Sequence, residues 1–125
     1  MQPCLVMTNC IFCDIIAKIA PAEIIYEDNL CMVITNINPL APLHLLVLPR
    51  KHIPSLNDIS SADETLLGHL LLTAKAMAEK MGVADQGYRV ALNTGKGGGQ
   101  TVFHLHIHLL GGRQLDDSLL SRGIA

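Results

Sequence analysis

Charge is scarce in this chain. Only 16% of its 125 residues are Asp, Glu, Lys or Arg, and their balance leaves a formal net charge of -2 at pH 7. A general nucleic-acid binder carries a basic face, so that class is disfavoured. Long apolar runs are missing too: no segment reaches the roughly 18 to 20 apolar residues of a membrane span. The segment Met1–Thr8 has neither the basic start nor the apolar stretch of a secretory leader. These absences lead to the expectation of a cytoplasmic protein with no membrane and no nucleic-acid partner. What the chain does have is apolar residues, which make up 50% of it, in a length that suits one domain over 1–125. Flexibility is expected only at the N-terminus (1–9) and in a C-terminal tail (115–125).

The histidines are concentrated. Three of the six lie in the run His104-Leu105-His106-Ile107-His108, framed by Val102-Phe103 and Leu109-Leu110. Side chains of a strand alternate between faces, so His104, His106 and His108 would share one face while Phe103, Leu105, Ile107 and Leu109 line an apolar one. Imidazoles in such an array suit a metal site, or a nucleophile or general acid/base whose neighbours fix its tautomer. The plain alternative is a strand that turns titratable groups toward water. Three in register beside a glycine-rich loop argue against it.

That loop, Asn93-Thr94-Gly95-Lys96-Gly97-Gly98-Gly99-Gln100-Thr101, separates the strand-like run Tyr88–Leu92 from the histidines. Glycines let backbone N–H groups approach a ligand, and a phosphate could be cradled there. The loop matches neither a P-loop nor a dinucleotide fingerprint, and a hairpin connection would use glycine as freely. Its position next to the histidines is what gives it weight.

Elsewhere the pattern predicts a short helix over Cys13–Ile19 and strands over Ile24–Glu27, Leu30–Thr35 and Leu43–Leu48. A long helix follows from Ala62 to Met81, with Ser61-x-x-Glu64 as a capping box and Gly82 as its stop. Leu66, Leu70, Ala74, Met77 and Met81 form its apolar stripe, and Leu67, Leu71 and Leu72 widen it beyond one face. That surplus suggests a second packing partner. His69 on this helix reads as a partly exposed or interfacial residue. With the histidine run these elements give an α+β fold, a five-stranded and mainly antiparallel sheet with one long helix and one short N-terminal helix.

The run Gly98-Gly99-Gln100-Thr101-Val102-Phe103-His104-Leu105-His106-Ile107-His108-Leu109-Leu110-Gly111-Gly112-Arg113 resembles the signature of the histidine triad (HIT) superfamily. Cys10-Ile11-Phe12-Cys13-Asp14-Ile15-Ile16 and Ala41-Pro42-Leu43-His44-Leu45-Leu46-Val47-Leu48-Pro49 agree with it. The likeness covers almost the whole chain and is greatest to the Hint branch, the nucleotide-binding purine nucleoside phosphoramidases. It implies a homodimer in which the sheet continues from one chain to the next and the long helices touch. It also implies a nucleophile at His106 whose other ring nitrogen is held by the backbone carbonyl of His104, with His108 and His44 completing the catalytic cluster. Asn93, Gly99, Gln100 and Thr101 would meet the phosphate and leaving group, and Ile11 and Phe12 would line the nucleoside slot. Asn36 stands where the branch usually has an Asp that contacts the ribose hydroxyls, so an uncharged amide takes that position. His108 in place of Gln speaks against the nucleotidyltransferase branch.

Of the four cysteines, Cys10-x-x-Cys13 has the spacing of half a zinc site, and that spacing alone also suits a redox pair or coincidence. Some HIT relatives complete such a pair with two histidines, which would be His52 and His104 here. Cys4 and Cys31 read as free thiols. The expected activity is hydrolysis of the P–N bond of purine nucleoside phosphoramidates without a cofactor required for catalysis. Alternatives are a dinucleoside polyphosphate hydrolase of the same superfamily and a nucleotide-binding scaffold with incidental turnover. The tail Leu115–Ala125 would lie near a partner's active site.

Overall fold

The computed structural model of the protein describes residues 9–117. The expectations for residues 1–8, Cys4 included, and for 118–125 of the tail lie outside the described residues. Within them the chain forms α1 (Ile11–Ile16), β1 (Ile24–Glu27), β2 (Cys31–Thr35), β3 (Leu43–Pro49), α2 (Glu64–Lys80), β4 (Arg89–Ala91) and β5 (Ile107–Gly111). The sheet runs β1-β2-β3-β5-β4 with every pairing antiparallel, as expected for the α+β class. Among the described residues no helix is long and apolar enough to cross a membrane.

Both helices depart from their predicted bounds for reasons of capping. α1 starts earlier than Cys13 because Cys10 Sγ accepts the N–H of Cys13 at 3.3 Å, and it ends by Ile16 because Lys18 turns left-handed at φ 64°. At α2 the reciprocal cap is Ser60 with Asp63, one residue upstream of the predicted Ser61 and Glu64. Ser60 N–H donates to Asp63 Oδ2 at 3.2 Å, Ser60 Oγ accepts from Ala62 N–H at 3.3 Å, and Ser61–Asp63 is a 3₁₀ turn. Asp63 is fixed in that role by Lys51, whose Nζ lies 2.7 Å from its Oδ1. The far end behaves as predicted. Gly82 takes φ +78°, with its N–H on Glu79 O at 3.2 Å and Val83 N–H on Ala78 O at 3.0 Å, the pair of bonds that closes a helix at a left-handed residue.

The central strands β2 and β3 are buried on both faces, which is why they read as continuous apolar runs. Cys31, Val33, Leu45, Val47, Ile107 and Leu109 face α2, where Leu70, Ala74, Met77 and Ala78 cover them. Met32, Ile34, Leu46 and Leu48 face the other way and pack with Phe12 and Ile15 of α1. His44 and His108 share the parity of this second set, so α1 covers the histidine side of the sheet. Met81, predicted for the stripe, is 39% exposed because it lies past the last helical turn. Leu71 and Leu72 remain exposed at 55% and 66%.

The histidine run is only half a strand. β5 begins at Ile107, and Leu105 N–H is turned to Ile53 O at 2.7 Å instead of into the sheet ladder. Leu105, Ile107 and Leu109 do enter the core, but Phe103 is exposed and not part of the apolar face predicted for it. Past the strand, Gly112 adopts φ +92°, and a Cβ there would lie 2.9 Å from Pro42 Cβ. Gly112→Ala is therefore expected to cost about 1–3 kcal/mol through the left-handed backbone and this contact. Urea unfolding would measure it, and an unchanged midpoint would contradict the packing described.

Candidate active site

Strand register assembles the imidazoles. β3 pairs with β5 so that Leu46 faces His108 and His44 faces Leu110, which makes His44 and His108 diagonal neighbours on one face. His44 Nε2 lies 2.9 Å from His108 Nδ1, and the His106 and His108 rings meet edge to face with centroids 5.0 Å apart. His44, His104, His106 and His108 are all buried.

Partners that can only donate or only accept fix the proton positions. The carbonyl oxygen of His104 lies 2.8 Å from His106 Nδ1, so Nδ1–H donates and Nε2 of the neutral ring carries the lone pair. Leu40 N–H donates to His44 Nδ1 at 3.1 Å, so the hydrogen of neutral His44 sits on Nε2 and is given to His108 Nδ1. His108 then carries its own hydrogen on Nε2. One ring thus offers a nucleophilic nitrogen and its neighbour an N–H donor. Burial holds His44 down to about 4 from its ordinary 6.5, so it stays neutral in this chain of bonds.

Asn36 Nδ2 approaches His44 Nε2 at 3.2 Å, while Asn36 Oδ1 accepts from Asn38 N–H at 2.9 Å. With the Nε2 hydrogen committed to His108, that ring nitrogen has no lone pair to receive the amide. The contact is one of proximity, and it places Asn36 at the edge of the cluster.

A second cluster adjoins the first. The donor atoms of Cys10, Cys13, His52 and His104 all lie within 4.8 Å of one another. His104 Nδ1 stands 3.4 Å from Cys10 Sγ, 3.5 Å from Cys13 Sγ and 3.2 Å from His52 Nδ1. Bonds of about 2.3 Å to sulfur and 2.0–2.1 Å to nitrogen in a tetrahedron put donors about 3.3–3.8 Å apart, so these four fit a tetrahedral zinc ion. His104 Nε2–H donates to Pro49 O at 2.8 Å, which turns the Nδ1 lone pair toward the cluster, an outer contact of the kind metal-bound histidines have. Burial foremost, with the neighbouring His52 and His106 adding to it, lowers His104 to about 4 and keeps it a neutral ligand.

The glycine-rich loop is built differently from the expected cradle. The N–H groups of Gly98, Gly99 and Gln100 bond back to Gly95 O, Lys96 O and Gly95 O at 3.1, 3.1 and 3.0 Å, so they do not form an outward nest. The buried Gln100 braces the loop: Nε2 donates to Pro54 O at 2.7 Å and Val102 O at 3.0 Å, and Oε1 accepts from Gly95 N–H at 2.8 Å. Asn93 is half-buried at the head of the loop and Thr101 exposed at its end. Ile11 is exposed. Phe12 is buried, and its ring makes T-shaped contacts with His106 at 5.1 Å and His104 at 5.9 Å between centroids. His69 belongs elsewhere, paired with Asp28 Oδ2 at 2.7 Å. Cys31 is buried beside Thr73, its thiol pushed up to about 11 by burial. Sequence reasoning missed the orienting groups Leu40 N–H and Pro49 C=O, which are main-chain atoms with no side-chain signature.

A strand-framed histidine cluster with one ring oriented for attack defines a class, and the chain belongs to it. This is the HIT domain family, which matches residues 17–115. An uncharacterized HIT-like protein of Synechococcus elongatus is 52% identical over 105 residues, covering 84% of this chain and 91% of the relative. The purine nucleoside phosphoramidase of Escherichia coli is 43% identical over 114 residues, 91% of this chain and 96% of that one. Among solved structures, a HIT family hydrolase from Legionella pneumophila superposes with TM-score 0.85 at 44% identity, over 86% of this chain and 96% of the other. The protein is a HIT-family hydrolase of the α+β class.

The depressed His44 sets a pH dependence. Because its folded pKa lies below its unfolded one, the native state binds fewer protons, and stability is full above 6.5 and falls as pH drops toward about 4. That loss is expected to reach about 3 kcal/mol for this group. Unfolding free energies of wild type and His44→Asn across this range test it: the variant should show the smaller loss, and equal slopes would contradict the assignment.

Proposed function

We propose that this chain hydrolyses the P–N bond of purine nucleoside phosphoramidates through a nucleotidyl-histidine intermediate. The observation that carries this reading is the 2.8 Å bond from His106 Nδ1 to the His104 carbonyl, which puts the ring hydrogen on Nδ1 and the nucleophilic lone pair on Nε2. As the bond from Nε2 to the α-phosphorus forms, the bond from phosphorus to the amine breaks, and the amine leaves with the proton of His108 Nε2. His44 holds His108 in the donor tautomer. Water then attacks the phosphorus and gives one proton back to His108 Nε2 as the His106–phosphorus bond breaks, so the nucleoside monophosphate leaves and both rings return to their starting protonation states. Asn93 and Thr101 are the side chains assigned to the phosphoryl oxygens, where donors in place meet developing charge. Ile11 and Phe12 flank the base. Asn36 meets the ribose hydroxyls, and its amide N–H groups donate where a carboxylate would only accept. The Escherichia coli relative named for this activity, at 43% identity, supports the choice of substrate class.

Zinc is proposed as a structural ion at Cys10, Cys13, His52 and His104, since four protein ligands leave no open position for substrate. A homodimer is proposed through α2 and β4, supported by the exposed Leu71, Leu72 and Val90 and by the short edge strand β4. Sedimentation should show a species of twice the chain mass; a monomer at micromolar concentration would remove the dimer.

His106→Ala is expected to lower kcat on an adenosine phosphoramidate at least about a thousandfold while nucleoside monophosphate binding persists. A panel with guanosine phosphoramidates and dinucleoside polyphosphates measures selectivity in the same assay. Faster turnover of the polyphosphates, or a His106→Ala enzyme that retains its rate, would overturn the reading.

A further inference from the structure

We infer that the Cys10–Cys13–His52–His104 cluster aims the nucleophile, so that loading this site with a divalent metal switches His106 from loosely to firmly held. The inference rests on the reading of His106 given above. Its basis is that His104 belongs to both sites: its ring faces the two sulfurs and His52, and its backbone carbonyl holds His106 Nδ1. The carbonyl is not secured by the sheet, because the ladder begins only at Ile107. What fixes the segment from His104 to His106 leads back to the cluster by three routes. The ring of His104 is pinned between the cluster and Pro49 O. Leu105 N–H is bonded to the carbonyl of Ile53, the residue next to the ligand His52. Phe12, lying between Cys10 and Cys13 in sequence, packs its ring in T-shaped contacts with both His104 and His106.

An ion bonded to all four donors ties α1, the segment after β3 and the triad to one point. Without it the Leu105 N–H bond to Ile53 O and the Phe12 ring contacts remain, and the cluster adds to them thiol and imidazole contacts of 3.2–3.5 Å, softer than metal bonds. His52, Cys10 and Cys13 are on this account positioning residues, and the bond they protect is the one that sets the His106 tautomer.

The test compares three preparations of the full-length protein in reducing buffer: zinc-loaded wild type, wild type stripped by a chelator, and Cys13→Ser. Metal content, hydrogen exchange at the Leu105 amide, and kcat and KM on an adenosine phosphoramidate are measured on each. Loaded wild type should hold one zinc per chain. Stripping, or Cys13→Ser, should speed Leu105 exchange at least about tenfold and lower kcat about 10- to 100-fold with KM changed less than about twofold. Added zinc should restore stripped wild type and not the variant. Absence of zinc binding, or a stripped protein that keeps both Leu105 protection and kcat, overturns the inference. Loss of protection throughout β2 and β3 on stripping also counts against it, because the cluster would then hold the whole fold and not the nucleophile. If Cys13→Ser does not fold, stripped wild type decides. Failure of the loaded protein to turn over any phosphoramidate would instead refute the proposed activity, and the exchange measurement would still read the coupling.

Discussion

The hydrogen bond from His106 Nδ1 to the carbonyl of His104 decides which of two chemically similar nitrogens carries the lone pair. A carbonyl oxygen can only accept, so the ring has no choice of tautomer while that contact stands. The complementary decision is made at His44, where a backbone N–H that can only donate forces the opposite tautomer, and the consequence passes to His108. The tautomers of His106 and His108 are thus distinguished by main-chain atoms two residues and one strand away.

Burial gives this arrangement its force. In water the competing tautomers and the charged forms of these rings would all be populated at neutral pH. Packed beneath α1 and against the β2–β3 face, His44 and His104 cannot take up a proton without losing hydration; the Pro49 carbonyl offsets only part of that loss at His104, and both are held down to about 4. The sheet therefore does two jobs with its two sides. The side under α2 is aliphatic and closes the core; the side under α1 carries the histidines.

The class of fold and the shared face of the histidines were legible because both rest on periodicity. Alternation places His104, His106 and His108 opposite Leu105, Ile107 and Leu109 whether or not every residue lies in the ladder. Helix ends were less legible: Ser60–Asp63 and Ser61–Glu64 are equally good capping patterns, and Lys51, twelve residues before Asp63, selects the first. Phe103 escaped the alternation because β5 starts four residues later. The role of Gln100 could not be read either, since the acceptors for its amide are carbonyls of Pro54 and Val102, and a carbonyl is common to every residue. Proximity of Cys10, Cys13 and His52 to His104 was available only through the resemblance, for nothing local to residues 10–13 encodes a contact some ninety residues away.

The most direct measurement is a crystal structure of the protein with a nucleoside monophosphate bound. The account predicts the phosphorus about 3–3.5 Å from His106 Nε2, in line for attack, with Nδ1 still on the His104 carbonyl. A phosphate bound to the opposite ring edge, or a His106 ring rotated so that Nε2 meets the carbonyl, would contradict it.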